Sequence, residues 1–553
     1  MTWILPLLLI VPLGTAALLA MGLPRSTRSA RGARLLTLGS MVATALIGLF
    51  AATQVNTLEP GLQLAGRIAW VESLGLELSY GLDGLSMWLV LLMVVLPPVA
   101  VLLVPNESEA GPEKPTRQTF AALLAVQATM IGTAIAADAL LFYTFFELSL
   151  LPTLLLIRRG GVGAWSERAS AARTYFFFNF SGSLLTLASI LYVASIHRQA
   201  MGTWSFGLTD LYRVAELMSP TQQAWVLVGF LAGFGLKTPL FPLHAWLPAT
   251  HAGTPASGAA DVAALVLKLG PYALLRFAIP LCGEGIALLA PVLGGLAVAG
   301  ILYAGLVGWV QRDAKKLLAY SSISHMGFVL LGLFALDQDT AGTTGAMMYV
   351  IAYAASAGGL FACVGILERR FQTRSLRELQ GLAKVMPLLA CFMVLFTMAA
   401  VGLPGLSGFP GEFLTMLGAA DGQTGNLGLP YAAAASLGVI LAAMYLLWMT
   451  GRLLFGPLQT PLRDPDAPRR VDLTRRELVA LAPLALLCLL LGFFPNLVLG
   501  PVAPVAHALQ HTQQSQVQVQ ADARPPLASA NLTHHHNAAP LVRADNTPLD
   551  PSF

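Results

Sequence analysis

Five ionisable side chains sit inside long apolar stretches. Glu147 lies in LLFYTFFELSLLPTLLL, Lys237 in AWVLVGFLAGFGLKTPLFPL, Lys268 in AALVLKLGPYALL, His325 in YSSISHMGFVLLG and Glu412 in LPGLSGFPGEF. A charge at bilayer depth costs roughly 2.5–3.5 kcal/mol on insertion scales. One such residue can be a structural anchor that snorkels or pairs within a bundle. Five on separate helices point to a chain that relays protons. The residue types suit that task. Burial disfavours the charged form of a carboxyl and of an amine, and pairing the two restores it. Separating such a pair makes the amine release a proton or the carboxyl take one, and an imidazole bridges their ranges. On this reading Glu147 pairs with Lys237 as the modulating element. Lys268 and His325 form the central relay, and Glu412 is a terminal proton acceptor and donor.

Prolines accompany these charges. Pro239 has no N–H, so the carbonyl of Gly235 is expected to lose its helical partner, and Pro242 does the same to Thr238. Pro271 is expected to free the carbonyl of Leu267, beside Lys268. Pro404, Gly405 and Gly408 crowd the approach to Glu412. Discontinuous helices put polar backbone and water beside ionisable groups, and their occurrence at corresponding positions of two halves points to inverted-repeat transporters. The plainer reading is a set of proline kinks with no transport role.

Other polar residues are accessory candidates. Ser321 and Ser322 precede His325 by four and three residues, so they share its helix face and can carry water. His244 and His251 flank one end of the seventh apolar run, as proton-entry residues or as interfacial polar groups. Asp261, early in the eighth run, is equally ambiguous. Arg173 opens the sixth run, facing Glu147 or simply marking the basic side. Asp313, Lys315 and Lys316 start a helix, with interfacial anchoring as the plain reading. Asp83, in YGLDGLSMWLVLL, has no role that the sequence supplies.

The elements that must position these residues follow from composition. The 553 residues are 56% hydrophobic and 11% charged, with a mean hydropathy of +0.70. Soluble chains carry roughly 25% charged residues, so this is a polytopic membrane protein. Apolar runs recur near 2–22, 34–54, 84–104, 118–137, 139–157, 173–196 and 223–248. They continue near 255–281, 286–309, 315–336, 341–367, 385–418, 429–454 and 478–500. At about 20 residues per span, these make about fourteen helices. The first run lacks a preceding basic stretch and reads as a retained span rather than a cleaved signal.

Loop charge tests the count. Of the 32 Lys and Arg residues, Lys237 and Lys268 fall inside runs. Only Arg67, Arg198, Arg213, Arg276, Arg524 and Arg543 fall on the side opposite the first loop. That bias puts the first loop in the cytoplasm and both termini outside. The broken seventh and twelfth spans lie five helices apart. An odd interval gives the two units opposite topology.

The expected organisation is three N-terminal spans (1–117), a first repeat (118–281), a second repeat (282–456), a last span (457–506) and a disordered polar tail (507–553). The tail carries three consecutive histidines, His534–His536, which are a weak metal-binding candidate. The four cysteines form no CxxC pair, which argues against an iron–sulfur cluster or zinc site in this chain.

Three long motifs carry a family resemblance: KTPLFPLHAWLPATHAGTPASGAADVAALVLKLGPYALLRF, DAKKLLAYSSISHMGFVLLG and GLPGLSGFPGEF. They resemble the antiporter-like subunits of complex I, relatives of the large subunits of multi-subunit cation/proton antiporters. The acidic Glu412, together with YGLDGLSMWLVLL and LGVILAAMYLLWMTGRLLFGP, resembles the M-type branch. The L and N types usually carry lysine at the Glu412 position.

The resemblance implies an all-α polytopic fold of fourteen helices, with two inverted five-helix repeats at spans 4–8 and 9–13. It implies a proton channel through Glu147, Lys237, Lys268, His325 and Glu412, in a bacterial inner-membrane complex. It implies L-like and N-like neighbours, no nucleic acid, and no redox centre in this chain. NADH, FMN, iron–sulfur clusters and quinone would belong to partner subunits. Two positions depart from the pattern. Tyr353 stands where many relatives have histidine, and a phenol titrates at about 10 in water, so the path from His325 toward Glu412 is expected to use water. Arg173 stands where lysine is common and stays charged, so its role would be electrostatic. The competing readings are an antiporter or membrane-bound hydrogenase subunit, and a non-conducting membrane scaffold.

Overall fold

Eleven helices in the described residues are long and apolar enough to cross a membrane. The computed structural model describes residues 3–105, 116–160, 165–254, 266–423, 425–459 and 472–523. For Lys268 and for 511–523 it describes the backbone only. Asp261 and residues 524–553 lie outside the described residues.

The chain opens with α1 (Ile4–Met21) and α2 (Ala30–Thr53). A hairpin of β1 (Gln63–Val71) and β2 (Leu76–Leu82) follows. Next come α3 (Gly84–Leu103), α4 (Arg117–Ile135), α5 (Ala139–Leu148), α6 (Leu150–Gly160) and α7 (Trp165–Met201). After the short α8 (Leu208–Val214) come α9 (Pro220–Phe230), α10 (Trp246–Gly253) and α11 (Val266–Ala273). The second half has α12 (Gly283–Trp309), α13 (Ala314–Ala335), α14 (Ala341–Phe371), α15 (Pro387–Ala400) and α16 (Gly408–Ala420). It closes with α17 (Leu429–Leu454), α18 (Arg475–Phe493) and α19 (Asn496–Ala523).

The helix starts are written in the sequence. Asp83 caps α3 and shares a capping box with Ser86. Asp138, at the tight turn between the fourth and fifth runs, caps α5 by accepting from the N–H groups of Leu140 and Leu141. Ser219, Pro220 at the first helical position and Gln222 start α9. Exposed leucines, isoleucines and aromatics line α1, α2, α7 and α17, as helices that face lipid require. By contrast α14 is buried along its whole apolar window and α13 nearly so. These two helices are the centre of the molecule. Gly411 lets α16 close on α14, because a Cβ there would lie 2.6 Å from the Tyr349 backbone.

The expected spans that do not form one long helix are the fifth, interrupted at Ser149 between α5 and α6, the seventh, the eighth and the twelfth. In the seventh, α9 runs through a π-helical turn (Leu231–Gly235), ends just after Lys237 and resumes only at α10. Pro239 and Pro242 lie in the unwound stretch. The twelfth span is unwound between α15 and α16, where Gly402 and Gly405 adopt φ of +79° and +89°. Pro404 lies between them.

Several expectations need correction. The carbonyl of Gly235 does lose its helical partner at Pro239, as expected, but it is not left open: the N–H of Leu240 reaches it at 2.8 Å, and the Trp246 indole N–H takes the carbonyl of Leu236 at 3.2 Å. Pro271 does not break its helix. It sits inside α11, which runs on past it into a π-helical turn (Leu274–Ala278) without unwinding. The all-α polytopic fold stands as expected, with one small β1–β2 hairpin added between the second and third spans. Finally, the polar tail does not begin at 507. α19 continues to Ala523, with Val498, Val502, Val505 and Leu509 buried and the Gln510 amide donating to the Thr343 hydroxyl at 3.1 Å. Apolar residues spaced three and four apart are enough to seat a helix whose other face is polar.

Candidate functional site

Buried polar chemistry gathers at the two unwound segments. At the first, α5 carries Glu147 and the end of the α9 extension carries Lys237. The Lys237 ammonium is 1% exposed and Glu147 is 14% exposed. Lys237 Nζ donates to the Phe146 carbonyl at 2.8 Å, lies 3.4 Å from Glu147 Oε1 and sits 3.4 Å above the centre of the Phe146 ring. From α7, the Ser183 hydroxyl donates to Glu147 Oε2 at 2.8 Å. A carbonyl, a carboxylate and an aromatic face thus replace the water around one ammonium.

At the second segment the arrangement is a hydrogen-bonded file. His325 on α13 approaches the Tyr349 hydroxyl of α14 through Nδ1 at 2.5 Å. That hydroxyl donates to Glu412 Oε1 on α16 at 3.0 Å. The direct separation between His325 Nδ1 and Glu412 Oε1 is 3.9 Å, so the phenol is the shorter route. All three side chains are buried. Gly402, in the unwound stretch, leaves the room that the carboxyl occupies: a Cβ there would lie 2.1 Å from Glu412 Oε2.

A second ring of hydroxyls surrounds the imidazole. The Tyr353 ring lies tilted against His325 with ring centres 4.7 Å apart, and its hydroxyl lies 3.1 Å from Ser322 Oγ. The Tyr445 hydroxyl of α17 donates to Ser321 Oγ at 3.2 Å. The Tyr349 hydroxyl thus links His325 and Glu412 directly through side-chain hydrogen bonds. Sequence reasoning passed over Tyr349 and Tyr445. The signal for Tyr349 was its place four residues before Tyr353, on the same helix face. Tyr445 gave no signal within its apolar helix.

The remaining candidates are placed as follows. Lys268 lies on α11, and two residues further on Gly270 packs against Thr238 of the first unwound segment; the Lys268 side chain lies outside the description. His244 is buried in that segment between the rings of Phe241 and Tyr303. His251 is buried on α10 and stacks on Phe361 of α14 at 4.6 Å. Arg173 makes no ion pair with Glu147, whose charged partner is Lys237.

Two expectations about loop charge are corrected. Arg276 is no loop residue: it is buried in the π-helical turn after α11 and paired with Asp83, which gives Asp83 a second task beyond capping. Lys315 is no interfacial anchor: it is fully buried, 2.9 Å from Glu368. Arg369 and Arg370 pair with the buried Glu477 at the start of α18. In each case a buried partner sequesters a charge that loop counting assigned to the surface.

A membrane bundle with charges paired or hydrogen-bonded beside two interrupted helices defines the ion-translocating, antiporter-like class. A family profile described as NADH:quinone oxidoreductase/Mrp antiporter, TM, matches residues 136–430, and the chain belongs to this family. Within it, the chain is 36% identical over 524 residues to NADH-quinone oxidoreductase subunit M of Rhodobacter capsulatus, covering 92% of this chain and 96% of that one. It is 35% identical to subunit M of Pseudomonas aeruginosa, covering 82% and 86%. A chain of respiratory complex I from Thermus thermophilus, solved with bound NADH, superposes with a TM-score of 0.78 at 33% identity, covering 92% and 99%. A chain of the Mrp complex from Dietzia sp. shares the fold at a TM-score of 0.76 and 21% identity, covering 93% and 99%.

Proposed function

We propose that this chain is the proton-translocating M-type subunit of a respiratory NADH:quinone oxidoreductase. It would lie in a bacterial inner membrane with both termini on the non-cytoplasmic side, between L-like and N-like subunits. NADH, FMN, iron–sulfur clusters and quinone would be handled by partner subunits. The observation that carries this reading is the buried file from His325 through the Tyr349 hydroxyl to Glu412.

The file suits proton transfer without ionising the phenol. When His325 carries protons on both ring nitrogens, its Nδ1–H donates to the Tyr349 oxygen while Tyr349 O–H donates to the ionised Glu412 carboxyl, so the shift leaves a neutral imidazole. A concerted shift moves one proton into the phenol as another leaves it for the carboxylate. The tyrosine ends neutral, so its reluctance to titrate is no obstacle. After the shift, its hydroxyl must turn before the next transfer, which gives the path a resting direction.

The first half acts as the switch. While Glu147 stays beside Lys237, the ammonium is compensated. Drawing the carboxylate away from Lys237 leaves a buried, unpaired cation, an arrangement that costs about 3–5 kcal/mol. Lys237 then sheds its proton toward Lys268 on the neighbouring α11, and onward to His325. The matching interruptions at α9–α10 and α15–α16 support two repeats, 118–281 and 282–456, of opposite orientation.

The test is Glu147→Gln in membrane vesicles, with NADH-driven proton uptake and quinone reductase rate read together. The proposal expects both to collapse while the assembled complex stays at normal abundance. Unchanged values would leave Glu147 a structural residue and favour a scaffold.

A further inference from the structure

On the side of the molecule that carries the basic loops, α6 and α7 part to leave a cleft of about 460 Å³. Its walls include Arg158, Trp165 and Arg173, and its apolar floor includes Leu154, Phe176 and Phe177. An adjoining cavity of about 400 Å³ shares Arg158 and Trp165 and adds Arg168. The Arg158 guanidinium lies 6.0 Å from the centre of the Trp165 ring. Neither Arg158 nor Arg173 forms an ion pair with an acidic residue among the described residues, and Glu167, the nearby acid on α7, lines neither cavity. Exposed Leu151, Leu155, Phe177, Phe180 and Leu184 extend an apolar surface along the same two helices.

We propose that this cleft binds the phosphate headgroup of an anionic phospholipid, with the acyl chains lying along α6 and α7. Arginine matches phosphate oxygens in paired hydrogen bonds, and basic pockets between membrane helices on the cytoplasmic side hold anionic headgroups. Trp165, 62% exposed, stands where interfacial aromatics stand. The apolar floor decides between sources of the phosphate. A free anion gains nothing from Leu154, Phe176 and Phe177, whereas a lipid covers them. A zwitterionic headgroup would bring its own cation against arginines that have no acidic partner.

The site has a bearing on the switch. α6 follows Glu147 directly, and α7 carries Ser183, the hydroxyl that holds Glu147. A lipid bridging the two helices fixes their spacing. Binding itself stands apart from the proton-transfer reading, because labelling is measured whether or not the complex pumps.

The experiment uses the assembled complex in phosphatidylcholine nanodiscs with a trace of photoactivatable phosphatidylglycerol, and maps labelled peptides by mass spectrometry. Peptides spanning 154–177 should be labelled. Unlabelled phosphatidylglycerol should compete, while extra phosphatidylcholine and millimolar inorganic phosphate should not. R158Q/R173Q should lower labelling by about tenfold or more, the loss expected for two charge-assisted hydrogen bonds. R158K/R173K, which keeps the charges but not the paired hydrogen bonds, should fall between wild type and R158Q/R173Q and controls for assembly. Equal labelling in R158Q/R173Q and wild type would overturn the proposal. So would competition by phosphatidylcholine, which marks a generic lipid surface, or by inorganic phosphate, which marks a free-anion site. Absence of labelling in the wild-type complex, as when a neighbouring subunit covers the cleft, would overturn it too.

Discussion

The two interrupted helices solve one problem with different chemistry. At the first, Lys237 and Glu147 face each other as opposite charges, with Phe146 and Ser183 completing the shell. At the second, His325 and Glu412 are held apart and joined by the neutral hydroxyl of Tyr349. The difference is one of control. A buried ion pair is switched by separation, because each partner left alone is costly. A hydroxyl-linked file is switched by proton order, because the phenol can donate to only one neighbour at a time. The first region therefore suits sensing of a neighbour's charge, and the second suits carrying a proton.

The largest expected effect comes from breaking the ionic half on one side only. Lys237→Met leaves Glu147 without its cation, and should lower thermal stability of the complex by about 3–5 kcal/mol and abolish proton uptake. Lys237→Met combined with Glu147→Gln should be more stable than Lys237→Met alone, with a coupling of about 0.5–3 kcal/mol in a double-mutant cycle of unfolding. Strict additivity would deny that the two residues act as a pair.

Gly402→Ala is the next test, aimed at the second half. Its Cβ would collide with Glu412 Oε2 from a backbone at φ +79°, so the carboxyl must turn away from Tyr349. Strain of about 1–3 kcal/mol and a drop in proton uptake are expected, read by melting and by vesicle assay. Tyr353→Phe should do less. It removes a hydroxyl bonded to Ser322 while leaving the file intact, so uptake should stay within about threefold of wild type, the cost of one ordinary hydrogen bond. Gln510→Ala should do least. It loses one bond to Thr343, costing about 0.5–1.5 kcal/mol in a melting measurement, with uptake unchanged.

Much of the site was legible because buried charges are rare and conspicuous. Glu147, Lys237, His325 and Glu412 stand out in apolar runs, and glycines and prolines betray the breaks near two of them. Asp138 and Ser219 announce helix starts by their own chemistry. What escaped notice was polarity hidden in apolar company. Tyr349 reads as one more aromatic until its hydroxyl is seen between His325 and Glu412. Proline chemistry indicated which carbonyls lose a partner, but not that Leu240 and Trp246 would reach back to supply new ones. Loop counting treated Arg276 and Lys315 as surface charge, since nothing local reveals Asp83 or Glu368 across the bundle. The second half of α19, from 507, was read as tail because its glutamines and histidines give no apolar stripe. The misses at Tyr349, Arg276 and Lys315 share a cause: the deciding partner is tens to hundreds of residues away.

The most direct measurement is NADH-driven proton uptake in vesicles carrying Tyr349→Phe, with quinone reductase rate and complex abundance followed in parallel. The ring and its packing are kept, and only the bridging hydroxyl is removed. The account predicts normal abundance with uptake and coupled quinone reduction falling by about tenfold or more, as loss of a positioned proton-transfer group commonly does. Uptake at the wild-type level would contradict it and show that protons reach Glu412 without passing through Tyr349.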